Sequence, residues 1–215
     1  MDKAKGVAAR MLEADVADIV LDVTNGGFHV AGAPALNNSW ADVASAADPG
    51  ELLVDTVFQA SMPTYPFGSH IAVVEVDTET GHVRHLRHVA CDDAGTMVNP
   101  MLLAGQVHGG VAQGVAQALY EEVRYDPDGN PITSNLADYT MISADLLPQI
   151  ERIPMETPTP VNPLGAKGIG ESGTIGSTPA VHSAVIDALE HFGVRHIDMP
   201  CTPEKVWRAI EAASN

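Results

Sequence analysis

Four glycines within one predicted helix constrain the fold of this chain more than any other feature of its sequence. The pattern predicts a long helix from about Met101 to Tyr120, although each interior glycine costs roughly 1 kcal/mol relative to alanine. With spacings of four they share a face, where the missing side chains let another backbone or a ligand approach closely. The four glycines are Gly105, Gly109, Gly110 and Gly114.

The composition excludes several classes of protein. The chain has 215 residues, of which 45% are hydrophobic, so it can bury a core. No apolar run approaches the ~20 residues that cross a bilayer, so we expect no membrane insertion. A net charge of −17 repels a phosphate backbone and argues against nucleic-acid binding. Cys91 and Cys201 form neither a disulfide framework nor a CxxC site, which predicts buried thiols in a cytoplasmic protein.

Local signals divide the chain into an N-terminal helix and hairpin subdomain, residues 1–62, and a C-terminal domain, residues 63–215. The boundary falls where Pro63, Pro66 and Gly68 make an irregular connection. The elements predicted before it are a helix at 4–11, a hairpin at 19–30 that turns at Asn25 and Gly26, a helix at 40–47 capped by Ser39, and a strand at 52–58.

The C-terminal domain mixes strands and helices. One predicted helix has Thr178 as N-cap, Pro179 in its first turn and Gly193 just past its end. The mixture, with its hairpins, favours an α+β fold of mixed, hairpin-rich sheets with packed helices over a parallel α/β sheet. The other predicted elements are strands at 71–76, 82–91, 149–155 and 194–197, a hairpin turning at 126–130, and a last helix from about Pro203.

The most unusual passage is the glycine-rich loop from Gly165 to Gly173. Residues 168–173 satisfy GxGxxG, but prolines precede the motif and the helix is expected only near Pro179, so the dinucleotide interpretation fails. Glu171 in this loop could reach a reacting atom. The residues alone favour a surface loop with a solvated glutamate over a catalytic one.

The histidines do not indicate a metal site. His82, His85 and His88 lie three apart on a predicted strand, so His85 is expected to face away from the other two. No HExxH motif or cysteine partner accompanies them, which favours a solvated hairpin face. His108 lies among the close-approach glycines, and packing explains it better than function.

Three motifs in order resemble the C-terminal part of molybdenum hydroxylase large subunits. This is the family of xanthine dehydrogenase, aldehyde oxidoreductase and aerobic carbon monoxide dehydrogenase. The resemblance implies the fold of that family's C-terminal molybdopterin-binding domain. The motifs are Cys-Asp-Asp-Ala-Gly-Thr with Asn-Pro at 91–100, Gly-Gln-Val-His-Gly-Gly-Val-Ala-Gln-Gly at 105–114, and Gly-Ala-Lys-Gly-Ile-Gly-Glu at 165–171.

The resemblance also implies roles for particular residues. Glu171 aligns with the family's catalytic glutamate, a general base in oxidation by water-derived oxygen. The cofactor implied is molybdopterin cytosine dinucleotide with molybdenum, and no residue here would ligate the metal, because the pterin dithiolene does so. Lys167, Gly168, Ile169 and Gly170 would wrap the pterin. Residues expected to hydrogen-bond the pterin, phosphate or nucleotide are Asp92, Asp93, Thr96, Asn99 and Gln106.

Large subunits of this family are several times longer than the present chain. The resemblance therefore implies a chain that is inactive alone and completes a site with the remainder of the large subunit. Iron–sulfur clusters and FAD are expected only in partner subunits, since no cysteine spacing here could hold a cluster. The small-molecule substrate would be an aldehyde, an N-heterocycle-like compound or carbon monoxide. The alternative is a non-catalytic interaction or scaffold domain, or a detached fragment, that works without molybdenum.

Overall fold

A computed structural model describes residues 1–213 of the chain. It has an α+β fold, as predicted, with five α-helices and two three-stranded sheets among those residues. The contacts divide the chain into two compact units, Met1–Gln59 and Ala60–Asn215. Across the described residues no helix is long and apolar enough to cross a bilayer.

The N-terminal unit packs two helices on an antiparallel sheet in the order β1-β2-β3. The predicted hairpin is confirmed, with Gly26 at a φ of 71° in its turn. The Ser39 cap is confirmed too: its hydroxyl accepts from the Asp42 N–H, and the Asp42 carboxylate accepts from the Ser39 N–H. The elements are α1 (Asp2–Leu12), β1 (Ile19–Asp22), β2 (Gly27–Val30), β3 (Ala33–Ser39) and α2 (Trp40–Ala46).

The predicted strand at 52–58 is wrong. Its apolar and β-branched side chains suit a strand, but the segment forms no ladder with any described strand. Leu53 is 72% exposed and Val57 is 93% exposed. A strand needs a partner for its backbone groups, and pairing in this unit goes instead to β3, which the sequence did not predict.

The C-terminal unit is built on a sheet in the order β4-β5-β6. β4 pairs antiparallel with β5, and β5 pairs parallel with β6. The strand predicted at 194–197 is wrong: this segment is irregular, although Val194 and Ile197 are buried. At 126–130 there is a turn closed by one isolated bridge rather than a hairpin. The elements are β4 (Phe67–Val76), β5 (Val83–Asp93), α3 (Pro100–Leu119), β6 (Ile150–Met155), α4 (Ser172–Leu189) and α5 (Pro203–Ala213).

Helix α4 begins two turns earlier than predicted. Its N-cap is Glu171 rather than Thr178, and Pro179 lies inside the helix. One of the two objections to the GxGxxG interpretation was therefore wrong, since a helix does begin within the motif. The other holds, because no strand runs directly into Gly168.

Contact with α3 explains why α4 forms where local propensity opposes it. A Cβ on Gly110 would lie 3.0 Å from the Cα of Gly173, and one on Gly173 would lie 2.7 Å from the Val107 carbonyl oxygen. Gly114 meets Ser177 in the same way. The predicted close approach is thus between two helix backbones, and tertiary packing outweighs the cost of the glycines.

Candidate cofactor site

Two of the three sequence motifs meet at the end of β5. The loop after β5 runs beside the glycine-rich loop and bonds to it through the backbone. The Thr96 N–H donates to the Gly165 carbonyl at 3.0 Å, and the Lys167 N–H donates to the Ala94 carbonyl at 2.8 Å. Gly95 and Ala166 form a bridge between these two bonds. The two loops are therefore held as one structural unit.

A buried ion pair fastens the same two loops through side chains. Lys167 Nζ lies 2.9 Å from Asp93 Oδ1, and the side chains are 8% and 0% exposed. The ammonium also lies 4.5 Å from the centre of the Phe67 ring. Burial opposes the charge on Asp93, but hydrogen bonds from Thr157, Lys167 and the Gly95 N–H outweigh it and hold the pKa of Asp93 below its ordinary value. Two residues predicted to touch a cofactor thus neutralise each other.

The glycines of α3 belong to two stripes rather than one face. Gly110 and Gly114 are packed against α4, whereas Gly105 and Gly109 face open space. Open space also surrounds the Cβ position of Gly168. The remaining predicted glycine, Gly170, approaches only the Gln106 side-chain oxygen, at 3.9 Å from its Cβ position.

These open glycines leave main chain accessible on the loop and on the neighbouring helix. A flat, polar group could approach the backbone here, with the exposed Gln106 amide beside it. The residues present therefore fit a pterin-type group, on the evidence of the space that their missing side chains leave.

Two other predicted residues have structural roles in this chain. The Asn99 side chain accepts from the Leu102 N–H at 3.1 Å and so caps α3. Ile169 is half-buried against the core, and its carbonyl accepts from the Ser172 N–H at 3.3 Å. Both positions shape the loops whether or not they also touch a ligand.

Glu171 stands at the junction of the glycine-rich loop and α4. Its carbonyl accepts from the Ile175 N–H at 3.0 Å, which fixes its backbone in the first turn. Its side chain is exposed, and no hydrogen bond or ion pair within residues 1–213 engages the carboxylate. The carboxylate is therefore held by the backbone and is available to a group outside this chain.

The expected orientation of the strand histidines is wrong. His85 and His88 both point into the interior and are 6% and 0% exposed, while His82 is exposed. The cause is a bulge opposite β4, where Val73 pairs with Arg87 but Val74 pairs with His85. The extra residue reverses the alternation of the strand, so two histidines three apart share one face.

Sequence reasoning also missed a partner for this histidine pair. His70 on β4 bonds to His88 and, through its other ring nitrogen, to Asp92. Asp92 therefore has a partner within the chain, as Asp93 does. No periodicity along one strand could reveal a cluster assembled from two strands and a bulge. Among the described residues no group of His, Cys, Asp and Glu side chains is arranged to hold a metal ion.

Comparison with known proteins agrees with this architecture. The sequence profile of the molybdopterin cofactor-binding domain family matches residues 1–148. The chain belongs to this family, which places it among the molybdenum hydroxylases, as the three motifs indicated. The matched range includes the whole N-terminal unit and the loop that follows β5.

Individual relatives are large subunits of oxidoreductases. The chain is 38% identical over 219 residues to the carbon monoxide dehydrogenase large chain of Hydrogenophaga pseudoflava, with 97% of this chain and 27% of the relative covered. It is 39% identical over 220 residues to the nicotine 6-hydroxylase large subunit of Paenarthrobacter nicotinovorans, with the same coverage of 97% and 27%. The chain thus spans about a quarter of the length of these relatives.

Solved structures show the same fold. A Cu,Mo-containing CO dehydrogenase in its carbon monoxide-reduced state matches with a TM-score of 0.88 and 35% identity, over 98% of this chain and 27% of that one. Quinoline 2-oxidoreductase from Pseudomonas putida 86 matches with a TM-score of 0.85 and 38% identity, over 98% and 28% of the two chains. The α+β assignment therefore holds in both comparisons.

Proposed function

We propose that this chain forms one wall of the cofactor site of a molybdenum hydroxylase and supplies its general base, Glu171. The observation that carries the proposal is the unpaired, backbone-fixed carboxylate of Glu171, next to the open glycine loop. The complete enzyme would oxidise an aldehyde, an N-heterocycle-like compound or carbon monoxide with oxygen from water. The relatives named for carbon monoxide, nicotine and quinoline oxidation support this range of small substrates.

The open loop has space for the pterin of molybdopterin, and the cytosine dinucleotide form of the cofactor is proposed from the resemblance of the motifs. Gly168 and Gly170 would present their main chain to the pterin, and the Gln106 amide and Thr96 hydroxyl would hydrogen-bond its polar edges. Asp92 lies at the same end of the sheet. The residues that would act by shaping the loops are Asp93, Asn99, Lys167 and Ile169.

Glu171 would accept a proton during turnover. The cofactor, when bound, supplies the two-electron oxidation that no side chain of this protein can perform. Addition of water-derived oxygen to a substrate also releases protons, so a carboxylate positioned by a helix terminus is a suitable acceptor. The surrounding glycines leave space for a substrate to approach this carboxylate.

The activity would require partners. The chain spans only about a quarter of its relatives, and exposed apolar side chains such as Leu53 and Val57 suit contact with the remainder of a large subunit. Iron–sulfur and FAD subunits would carry the electrons onward, and the chain alone would be inactive. Free thiols at Cys91 and Cys201 agree with a cytoplasmic location.

Replacement of Glu171 by glutamine in the assembled enzyme tests the proposal. We expect turnover to fall by at least about 10²-fold, which is typical of losing a general base, with molybdenum content unchanged. Glu79→Gln, at an exposed turn glutamate, is the matched control and should keep full activity. An unaffected rate would remove Glu171 from the mechanism. A complex that is isolated without molybdenum would favour the alternative of a non-catalytic scaffold domain.

A further inference from the structure

The C-terminal sheet buries histidines on the face that α3 and α4 cover and leaves an apolar surface on its other face. The covered face includes His85, His88 and Asp92, all of them buried. The opposite face is called the outer sheet face here, and it is defined by six apolar side chains that come from all three strands. These are Phe67 and Ile71 of β4, Val89 and Cys91 of β5, and Ile153 and Met155 of β6.

Strand register brings these six side chains together. Ile71 lies opposite Val89, and Cys91 lies opposite Ile153. Neighbouring strands are about 5 Å apart, so the side chains form one patch that is continuous across the sheet. Ile71 is 62% exposed and Ile153 is 51% exposed. Among the described residues, the hydrophobic core of this unit includes none of the six.

Two exposed ion pairs mark where the apolar surface ends. Arg87 on β5 bonds to Glu151 on β6, and Arg84 on β5 bonds to Glu75 on β4. Exposed pairs of this kind are compatible with solvent, whereas a sheet face that carries large apolar side chains usually packs on a core. The apolar surface is therefore confined to the half of the sheet where β5 ends, and the charged half is suited to water.

The apolar half of the outer sheet face adjoins the glycine-rich loop. Lys167 of that loop lies over the Phe67 ring, with Nζ 4.5 Å from the ring centre. The same ammonium donates to Asp93, which pairs with Phe67 on one side and with Met155 on the other in the strand register. A layer of protein that covered Phe67 would therefore also lie beside the glycine-rich loop of the candidate cofactor site.

Two observations indicate what covers this face. The chain matches the carbon monoxide dehydrogenase large chain over 97% of its own length but only 27% of the relative, so most of that relative has no counterpart in this chain. A second copy of the chain is a poor occupant, because each copy has a net charge of −17 and the two would repel each other. A sheet with helices on one face and apolar side chains on the other needs a further layer.

We propose that the outer sheet face is the docking surface for the remainder of the large subunit. The inference rests on the proposed function, in which the remainder supplies the other wall of the cofactor site. The remainder presents an apolar surface to this face, covers the half beside the glycine-rich loop and ends at the pair of Arg87 and Glu151. Because Lys167 lies over Phe67, the same docking fixes the position of the glycine-rich loop.

Thiol labelling with a maleimide tests the proposal, because Cys91 lies within the outer sheet face and is partly exposed. Cys201 is buried, and burial raises its pKa to about 11, so it should stay unlabelled throughout. In the assembled enzyme, isolated through a tag on this chain, we expect Cys91 to be labelled about tenfold or more slowly than in the isolated chain. Glu75→Cys, at the charged half of the sheet, is the matched control, and its thiol should be labelled equally fast in both.

The second readout is the recovery of assembled enzyme through the same tag. Ile71→Lys places an ammonium in the docking surface, and an unpaired charge is costly to bury, so recovery should fall by about tenfold or more. The Tm of the isolated chain should stay unchanged, because Ile71 faces solvent there. Val23→Lys, at an exposed apolar side chain of the N-terminal unit, is the matched control and should keep full recovery.

Three results would overturn this docking surface. The first is equal labelling rates for Cys91 in the assembled enzyme and in the isolated chain. The second is equal recovery of Ile71→Lys and Val23→Lys. The third is a protected Cys91 in an isolated chain whose molar mass by light scattering is that of a dimer, which would assign the face to a second copy.

The labelling outcome is distinguishable from the outcome for the proposed function. Unprotected Cys91 together with a collapse of turnover in Glu171→Gln would leave the proposed function standing and remove the docking surface. A complex without molybdenum would remove the proposed function, while the labelling rate of Cys91 would still decide whether the outer sheet face is covered.

Discussion

Asp92 and Asp93 are neighbours at the end of β5, yet they lie in two chemically different surroundings. Both are buried, with 5% and 0% of their surface exposed. Asp93 faces a lysine and joins two loops through a fixed ion pair, whereas Asp92 bonds to the imidazole of His70, which in turn bonds to His88. The comparison teaches that burial alone does not decide the role of a carboxylate. The partner on the other side of the hydrogen bond decides it.

Removing the partner of Asp93 should have the largest effect on stability. In Lys167→Met, the buried carboxylate keeps its charge without its counter-ion, so we expect the free energy of unfolding to fall by about 3–5 kcal/mol. Chemical denaturation of the chain at pH 7 measures this. A loss below ~1 kcal/mol would show that the pair does not hold the two loops together.

An exposed ion pair between β5 and β6 provides the control for this variant. Arg87 and Glu151 meet at 2.6 Å, but their side chains are 59% and 48% exposed. Glu151→Gln should therefore cost no more than about 1 kcal/mol, since solvent screens the pair. Equal losses in the two variants would contradict the distinction between buried and exposed charge.

Mild acid should reduce the stability that comes from neutral His88 and leave the contribution of the Asp93–Lys167 ion pair unchanged. The pKa of His88 is lowered to about 4 in the fold, so the unfolded chain binds the extra proton between pH 6.5 and 4. Stability falls as pH falls through that range, by about 2 kcal/mol for His88 alone between pH 7 and pH 5. The pKa of Asp93 is lowered instead, so its contribution persists at pH 5 and is lost only in stronger acid.

Chemical denaturation at pH 7 and at pH 5 separates the contribution of His88 from that of the Asp93–Lys167 ion pair. His88→Gln should flatten the dependence between these values, because no titrating ring remains at that position, while Lys167→Met should keep it. A chain equally stable at pH 7 and pH 5 would mean that His88 is not held neutral by the fold.

Sequence reasoning succeeded where structure is determined locally. The Asn25–Gly26 turn and the Ser39 cap depend on residues within four positions of each other, and both form as predicted. The glycines of α3 correctly indicated a close backbone approach, because only a missing Cβ allows one. The three motifs indicated the family without reference to any contact.

The errors share a cause, which is that distant segments override local preference. Helix α4 begins at Ser172 because Gly173 meets α3, although glycine and Pro179 predict a later start. His85 turns inward because a bulge shifts the alternation of β5. The apolar segment at 52–58 stays unpaired because no described strand forms a ladder with it. None of these facts can be seen in a window of ten residues.

The measurement that tests the central claim most directly is the molybdenum and cytidine nucleotide content of the native complex, isolated through a tag on this chain. The account predicts molybdenum and cytidine nucleotide in amounts equimolar with this chain, and the presence of larger iron-containing partner proteins. A solitary chain with neither molybdenum nor nucleotide would contradict it, and Glu171 would then be an exposed glutamate at the start of a helix.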